Sequence, residues 1–379
     1  MTGSVVAPTH KIKVGVLFDL FFGKSPEPWG NDIDVLDAMR IVFDEAFEKK
    51  LVDRPIEMVV KYCEGLPRGA VQDVIRTYQE LVDEGCIVIY GPLISENAPD
   101  LAEYINEKGH VPAIGMMGTE DFLGEWTFQL SNGSLPDEPY VIASIMAQHG
   151  LTKIGVAMEK SMIGQQYLHW LRQACIIEGL EIVGVAGVAQ TGEDMVQEIT
   201  TLRDSGAEAV LHLGFGWAIM GINKAMREIG WEVPKYCMTA WEVSLLDEEF
   251  YRETIGWIGL EQFDEENHLA VEFLDKFEMR YGRRPEYFMP GYGADMGNII
   301  VQALVNAHPL SPRGVRDGIK TIRNLPAHSG APGTRISYGK YRHNGWMGAG
   351  FLIAREHAPD GPRGKTIFRG RIAAPRGAR

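Results

Sequence analysis

The sequence predicts an α/β protein built from parallel βαβ units arranged in two similar halves. Three observations carry that expectation. Short β-branched runs bounded by Gly or Pro alternate with longer segments whose apolar residues repeat every 3.6 positions. The alternation restarts after Asn132-Gly133-Ser134. The 379 residues, at a prior of ~150 per domain, are material for about two domains that each bury a core.

In the first half, residues 11–18 (KIKVGVLF) read as the opening strand. A helix over 34–47 follows, with Val35, Met39, Val42 and Ala46 on one face. Strands at 56–62, 86–90 and 111–115 come next, separated by helices at 68–84 and 98–108. In the second half, strands at 153–158, 181–188, 209–214 and 235–239 alternate with helices near 162–178, 193–205 and 218–229. A further strand at 256–262 precedes helices at 267–281 and 292–307 and an irregular Pro- and Gly-rich stretch from Pro326 to Gly333. Periodicity leaves open whether these last helices complete the first half or found a third unit.

Composition narrows the function. With 37 Lys+Arg against 51 Asp+Glu the chain carries a net charge of −14. Such an acidic surface repels phosphate backbones and anionic lipid heads, so nucleic acid is not an expected partner. The longest apolar runs, such as Cys86 to Tyr90, fall far short of the ~20 residues of a membrane helix, and no direct membrane insertion is expected. Arg363, Lys365, Arg369, Arg371, Arg376 and Arg379 meet no acid in the last stretch, which reads as a loose basic tail over 361–379. Cys63, Cys86, Cys175 and Cys237 form no CxxC pair and have no neighbouring His at ligand spacing, so they read as buried, reduced thiols. The opening MTGSVVAPTH lacks the basic and apolar regions of a secretory signal.

Catalytic motifs are missing. The sequence holds no GxGxxG or GxxxxGKS/T phosphate cradle, no GxSxG elbow and no HExxH pair. His212 sits in an apolar strand and reads as a core residue, while Glu120/Asp121 and Glu265/Glu266 read as solvated surface. The expectation is a protein without catalytic residues, metal or cofactor.

Open parallel sheets bind ligands outside the carboxyl ends of their strands, and the loops there carry aromatic and hydroxyl groups. Trp29-Gly30 ends the first loop. Gly91-Pro92-Leu93-Ile94-Ser95 and Gly115-Met116-Met117-Gly118-Thr119 set Ser95 and Thr119 just ahead of helices, where a hydroxyl either caps the helix or meets a ligand oxygen. In the second half, Gly214-Phe215-Gly216-Trp217 and Ala240-Trp241-Glu242 close two strands, and Tyr292 lies near a helix start. Aromatic walls from two halves suit a small apolar or planar ligand, oriented by a few polar groups.

At these residues the chain resembles the type I periplasmic-binding-protein family, specifically the branched-chain amino-acid (Leu/Ile/Val) substrate-binding proteins of ABC importers. The resemblance runs from about Lys11 to Glu356. Its landmarks are Lys11 to Val16, IEMVVKY at 56–62, Val88 to Pro92 with Ser95, Val111 to Ile114 leading to Thr119, the stretch 195–213, and Tyr338 to Gly345 followed by Gly350-Phe351-Leu352. It implies two Rossmann-like lobes joined by a three-crossover hinge and closing on a small ligand. Lobe 1 would comprise 11–133 plus 257–335, and lobe 2 would comprise 134–256 plus 336–360. The resemblance also implies an aromatic at Trp29 that packs on the ligand, and hydroxyls at Ser95 and Thr119 that bind its carboxylate with Met117 supplying backbone. Ile163 falls where the family has a tyrosine, and the ammonium-binding acid falls at Trp241 or Glu242. With these departures, and with no Arg in the loops, the implied ligand is an amino acid, an amide or an aromatic monocarboxylate.

The expected function is a non-enzymatic binding protein that delivers its ligand to an ABC transporter membrane permease, periplasmic by resemblance. The missing export signal favours an alternative, a cytoplasmic ligand-sensing regulator of the amide-sensor type that holds a regulatory partner protein. A Rossmann-type enzyme with a co-purifying cofactor is the alternative from a different class.

Overall fold

The computed structural model describes residues 10–19, 30–66, 68–190, 194–361 and 364–372. Its elements begin with β1 (Ile12–Phe18), α1 (Gly30–Glu48), β2 (Ile56–Tyr62), α2 (Val71–Asp83), β3 (Ile89–Tyr90), α3 (Ala98–Tyr104), β4 (Ala113–Gly115) and β5 (Thr127–Gln129). The five strands form one parallel sheet in the order β2-β1-β3-β4-β5. Alternation along β1 explains its place inside the sheet: Val14, Val16 and Phe18 enter one core while Leu17 enters another, behind α2 and α3.

The chain then crosses to α4 (Glu138–Gln148), β6 (Lys153–Glu159), α5 (Met162–Glu178), β7 (Glu181–Val188), α6 (Val196–Asp204), β8 (Ala209–Leu213), α7 (Ile219–Glu228), β9 (Lys235–Tyr236), α8 (Glu248–Thr254) and β10 (Trp257–Glu261). It returns through α9 (His268–Tyr281), α10 (Phe288–Asn306), α11 (Pro312–Ile319) and the short pair β11 (Leu325–Pro326) and β12 (Arg335–Ile336). It ends in β13 (Ile353–His357) and β14 (Thr366–Arg371). The second sheet has the order β14-β13-β10-β9-β8-β6-β7. It is parallel from β7 to β10 and antiparallel beyond.

Two boundaries differ from expectation. The strand at 257–261 was grouped with lobe 1, yet β10 hydrogen-bonds to β9 and β13 and so belongs to the second sheet. The helices after it do join the first lobe, because α10 packs on α1 where small residues permit close approach. A Cβ on Gly293 would lie 2.7 Å from the Val35 carbonyl oxygen, and one on Gly297 would lie 3.0 Å from Val42 Cβ. The supposed loose tail contains β14, which pairs with β13, and Arg371 of that strand is held by Asp264 at 2.6 Å. Arg363, Arg376 and Arg379 lie outside the described residues.

Three crossovers link the lobes and are tied to one another. Trp346 donates its indole N–H to the Ser131 carbonyl at 2.6 Å. Asn267 donates to the carbonyls of Ala327, His328 and Gly330 at 3.2, 3.2 and 3.0 Å. These bonds satisfy backbone groups that would otherwise be buried unpaired.

Candidate ligand-binding cleft

The parallel strands of both sheets follow the same winding, so each sheet has a switch point: between β1 and β3 in the first, and between β6 and β8 in the second. An acid guards each one. Asp19, just past β1, accepts the backbone N–H of Leu93 at 2.6 Å and the side-chain amide of Asn97 at 2.7 Å. Glu159, at the end of β6, accepts the backbone N–H of Phe215 at 2.9 Å. Each carboxyl thereby fixes the loop that follows the neighbouring strand. Burial pushes Asp19 up to about 6 and raises Glu159, against the lowering effect of those hydrogen bonds.

Between the two switch points lies a cavity of about 790 Å³, counting its open mouth. Lobe 1 contributes Leu93, Ile94, Ser95 and the run Met116 to Gly118. The first crossover contributes Asn132, Gly133 and Leu135, with Glu138 from the start of α4. Lobe 2 contributes Ile163 and Tyr167 of α5, Phe215 after β8, and Thr239, Ala240, Glu242 and Val243 after β9; Met289 of α10 closes one side. The lining is mostly apolar with a few convergent polar groups, the make-up of a small-molecule site.

The lining residues that can carry charge are acidic. Among the described residues, the lining includes the carboxyls of Glu138 and Glu242 and no lysine, arginine or histidine. Glu138 accepts the Tyr167 hydroxyl and the Thr239 backbone N–H, each at 2.8 Å. Its burial nevertheless pushes its pKa up to about 7. Glu242 is 6% exposed. One of its oxygens accepts the Asn132 amide at 3.2 Å, while Oε1 is buried without a hydrogen-bond partner. Burial, and after it the charge of Glu261, hold the Glu242 carboxyl well above the ordinary range. An unpaired buried oxygen costs ~1–3 kcal/mol unless a donor arrives, so Glu242 is poised for an N–H group.

Of the residues the sequence singled out, the cavity wall contains Ser95, Met117, Ile163 and Glu242. Thr119 does not line it. Its hydroxyl accepts the Asp121 backbone N–H at 3.2 Å and caps a short 3-10 turn over Glu120–Phe122. Trp241 is a core residue: its indole packs over Gly259, where a Cβ would collide with it, and donates to the Leu260 carbonyl at 3.0 Å. The chain after β9 enters a 3-10 helix, Thr239–Leu246, which turns Trp241 inward and Glu242 toward the cavity. Tyr292 lies in the second turn of α10, fully buried, and donates to the Leu130 carbonyl. Trp29 lies outside the described residues.

Trp217 stands at the rim instead of the wall. The Arg68 guanidinium, from the opposite lobe, sits 5.5 Å from the centre of its ring, a cation–π contact across the cleft. Nearby, Gln166 of α5 donates to Asp121 of lobe 1 at 3.0 Å. These contacts join the two lobes outside the cavity lining.

Sequence reasoning missed Glu138, Thr239, Asn132 and Tyr167. Asn132-Gly133-Ser134 marked only the point where the alternation restarts, and Pro136 and Pro139 flank the first residue of α4 and mask a helix. Gly133 was the available signal, since a Cβ there would strike Glu138 Oε1 and Thr239 Oγ1.

Comparison with known proteins agrees with this architecture. A family model described as periplasmic binding protein matches residues 11–351. Among solved structures, a type 1 periplasmic binding protein from Bordetella pertussis has a TM-score of 0.75 at 17% identity, covering 95% of this chain and 100% of that one. The leucine binding protein LivK from Thermotoga maritima has a TM-score of 0.74 at 14% identity, covering 94% and 97%. A solute binding protein from R. palustris in complex with benzoate has a TM-score of 0.70 at 14% identity, covering 96% and 98%. No curated protein matches significantly. Among the described residues, no helix is long and apolar enough to cross a membrane. With two doubly wound lobes, three crossovers and a cavity between their switch points, the chain belongs to the periplasmic binding protein family.

Proposed function

We propose that this chain is the ligand-binding component of an ABC-type importer and that its lobes close on a small molecule that carries N–H donors on an apolar body. The observation that carries the reading is Glu242: a buried carboxyl with one unpartnered oxygen, in a cavity wall without a basic side chain. An ammonium or amide N–H satisfies that oxygen. The apolar body rests on Leu93, Ile163, Phe215 and Met289, and an oxygen at the far end meets Ser95 and the backbone of Met117 and Gly118. An aliphatic amino acid such as L-leucine fits this distribution best, with a short aliphatic amide next. A bare anion such as benzoate finds no counter-charge among the described lining residues and faces two carboxyls. Delivery to a membrane permease, with the protein outside the cytoplasm, is the role this fold supports.

A thermal-shift comparison of L-leucine, butyramide and benzoate tests the reading. A ligand at 100 times its dissociation constant adds ~2.7 kcal/mol of stability. Stabilisation by L-leucine or butyramide is expected. Stabilisation by benzoate alone contradicts the assignment of Glu242 as the recognition group.

A further inference from the structure

Among the described residues that line the cavity, two buried side-chain atoms lack a hydrogen-bond partner: Oε1 of Glu242 and Oδ1 of Asn132. The two residues are bonded to each other, since the Asn132 amide donates from Nδ2 to the other oxygen of Glu242 at 3.2 Å. That bond orients the amide. With Glu242 ionised, as it is against a ligand cation, its oxygens only accept. Asn132 therefore turns its nitrogen toward the carboxylate and keeps its oxygen, an acceptor, unpaired. The wall thus carries two unmatched acceptors on two groups in direct contact.

The backbone under both groups is held. The Asn132 N–H donates to the Met116 carbonyl of lobe 1 at 2.7 Å, and the Leu130 N–H donates to the Gly115 carbonyl at 3.0 Å. Between them, the Ser131 carbonyl accepts the Trp346 indole. Glu242 sits in the 3-10 helix Thr239–Leu246, whose first N–H is bonded to Glu138 at 2.8 Å. One acceptor therefore stands on the first crossover and the other on lobe 2.

A buried acceptor is costly until a donor reaches it, and two acceptors in contact call for two N–H groups on one ligand nitrogen. A primary ammonium or a primary carboxamide brings them. A tertiary ammonium or an N-alkyl amide brings a single N–H, and a carboxylate brings none. We infer that Asn132 is a ligand contact, and that Asn132 and Glu242 together select a primary nitrogen over N-alkylated forms left with a single N–H. The inference rests on the reading of Glu242 as the recognition group. It adds a contact from the crossover and a limit on how the ligand nitrogen is substituted.

Titration calorimetry of L-leucine and N,N-dimethyl-L-leucine against wild type and Asn132→Leu tests the pair. Leucine repeats the branched skeleton of asparagine without its polar atoms, so the variant removes the acceptor and opens no room for the added methyl groups. Wild type is expected to prefer L-leucine by about 10-fold or more, as one hydrogen bond to a charged group predicts. Asn132→Leu is expected to lose most of that preference. A general disturbance of the cleft weakens both ligands alike and leaves the ratio where it was. Butyramide and N-methylbutyramide make the same comparison for an amide.

Equal affinities in wild type, or a ratio that Asn132→Leu leaves unchanged, overturn the inference. Asn132→Ala, with the same expectation, replaces Asn132→Leu if that variant does not fold. L-leucine that binds wild type and is weakened in Glu242→Gln leaves the proposed function standing whatever the ratio. Failure of both L-leucine and butyramide to bind wild type refutes the proposed function and this inference with it.

Discussion

Glu138 and Thr239, 101 residues apart in sequence, are joined beneath the cleft: the Glu138 carboxyl accepts the Thr239 backbone N–H at 2.8 Å. The same carboxyl accepts the Tyr167 hydroxyl at 2.8 Å. It thereby fastens the first helix of lobe 2 to the loop that presents Glu242. Removing one donor leaves a buried oxygen unpaired. Tyr167→Phe is therefore expected to lose ~1–3 kcal/mol in urea denaturation. Unchanged stability would show that water replaces the hydroxyl and that the joint is not structural.

Gly133 sits directly over that joint. A methyl group there meets Glu138 Oε1 and Thr239 Oγ1, and the crossover backbone must shift to admit it. Gly133→Ala is expected to destabilise the protein by ~1–3 kcal/mol through overpacking and to weaken ligand binding with it, as measured by denaturation and titration calorimetry. Wild-type affinity in this variant would show that the crossover adapts without moving Glu242.

Trp241 and Trp217 were both expected at the ligand, and the structure separates them. Trp241→Ala empties a fully buried site beneath Gly259 and is expected to cost ~3–5 kcal/mol of stability. Arg68→Ala, which removes the cation over Trp217, is expected to leave the fold intact and to weaken binding ~2- to 5-fold, as suits an exposed cation–π contact of ~0.5–1 kcal/mol. A Trp241→Ala protein as stable as wild type would restore that residue to the cleft.

Stability is expected to peak on the acid side of neutrality. Burial raises Asp19 to about 6 and Glu138 and Glu96 to about 7, from ordinary values of 3.8 and 4.5. The folded protein therefore holds protons that the unfolded chain releases, and stability falls as pH climbs from about 4 to about 7. His212 and His357 act in the opposite sense. Held neutral with values of about 4 and about 3 instead of 6.5, they lower stability as pH drops below 6.5. Thermal melts should give a higher Tm at pH 6 than at pH 8. A Tm that rises from pH 6 to pH 8 would mean that these carboxyls are ionised and compensated in the fold.

The strand and helix periods of β1, α1, β2, β6, α5 and β7 were legible because their apolar residues alternate between faces or repeat along a stripe. The start of α4 was hidden by prolines. β14 was hidden by its charges, which read as a tail because pairing to β13 and to Asp264 is non-local. Within the cleft, strand-end position singled out Ser95, Met117 and Glu242, and the family resemblance alone pointed to Ile163. Trp241 was misplaced by a single step, since only the 3-10 path after β9 decides which of Trp241 and Glu242 faces inward. The partner space at Gly259 could have signalled it, but only once β9 and β10 were known to be neighbours.

The most direct test of a ligand held between the lobes is titration calorimetry of L-leucine against wild type, Ser95→Ala and Glu242→Gln, one substitution on each wall. A charge-assisted hydrogen bond of ~1.5–3 kcal/mol predicts ~10- to 100-fold weaker binding in Glu242→Gln, and loss of the Ser95 hydroxyl predicts a smaller loss of affinity from the opposite side. Wild-type affinity in both variants would place the ligand outside this cleft and contradict the account.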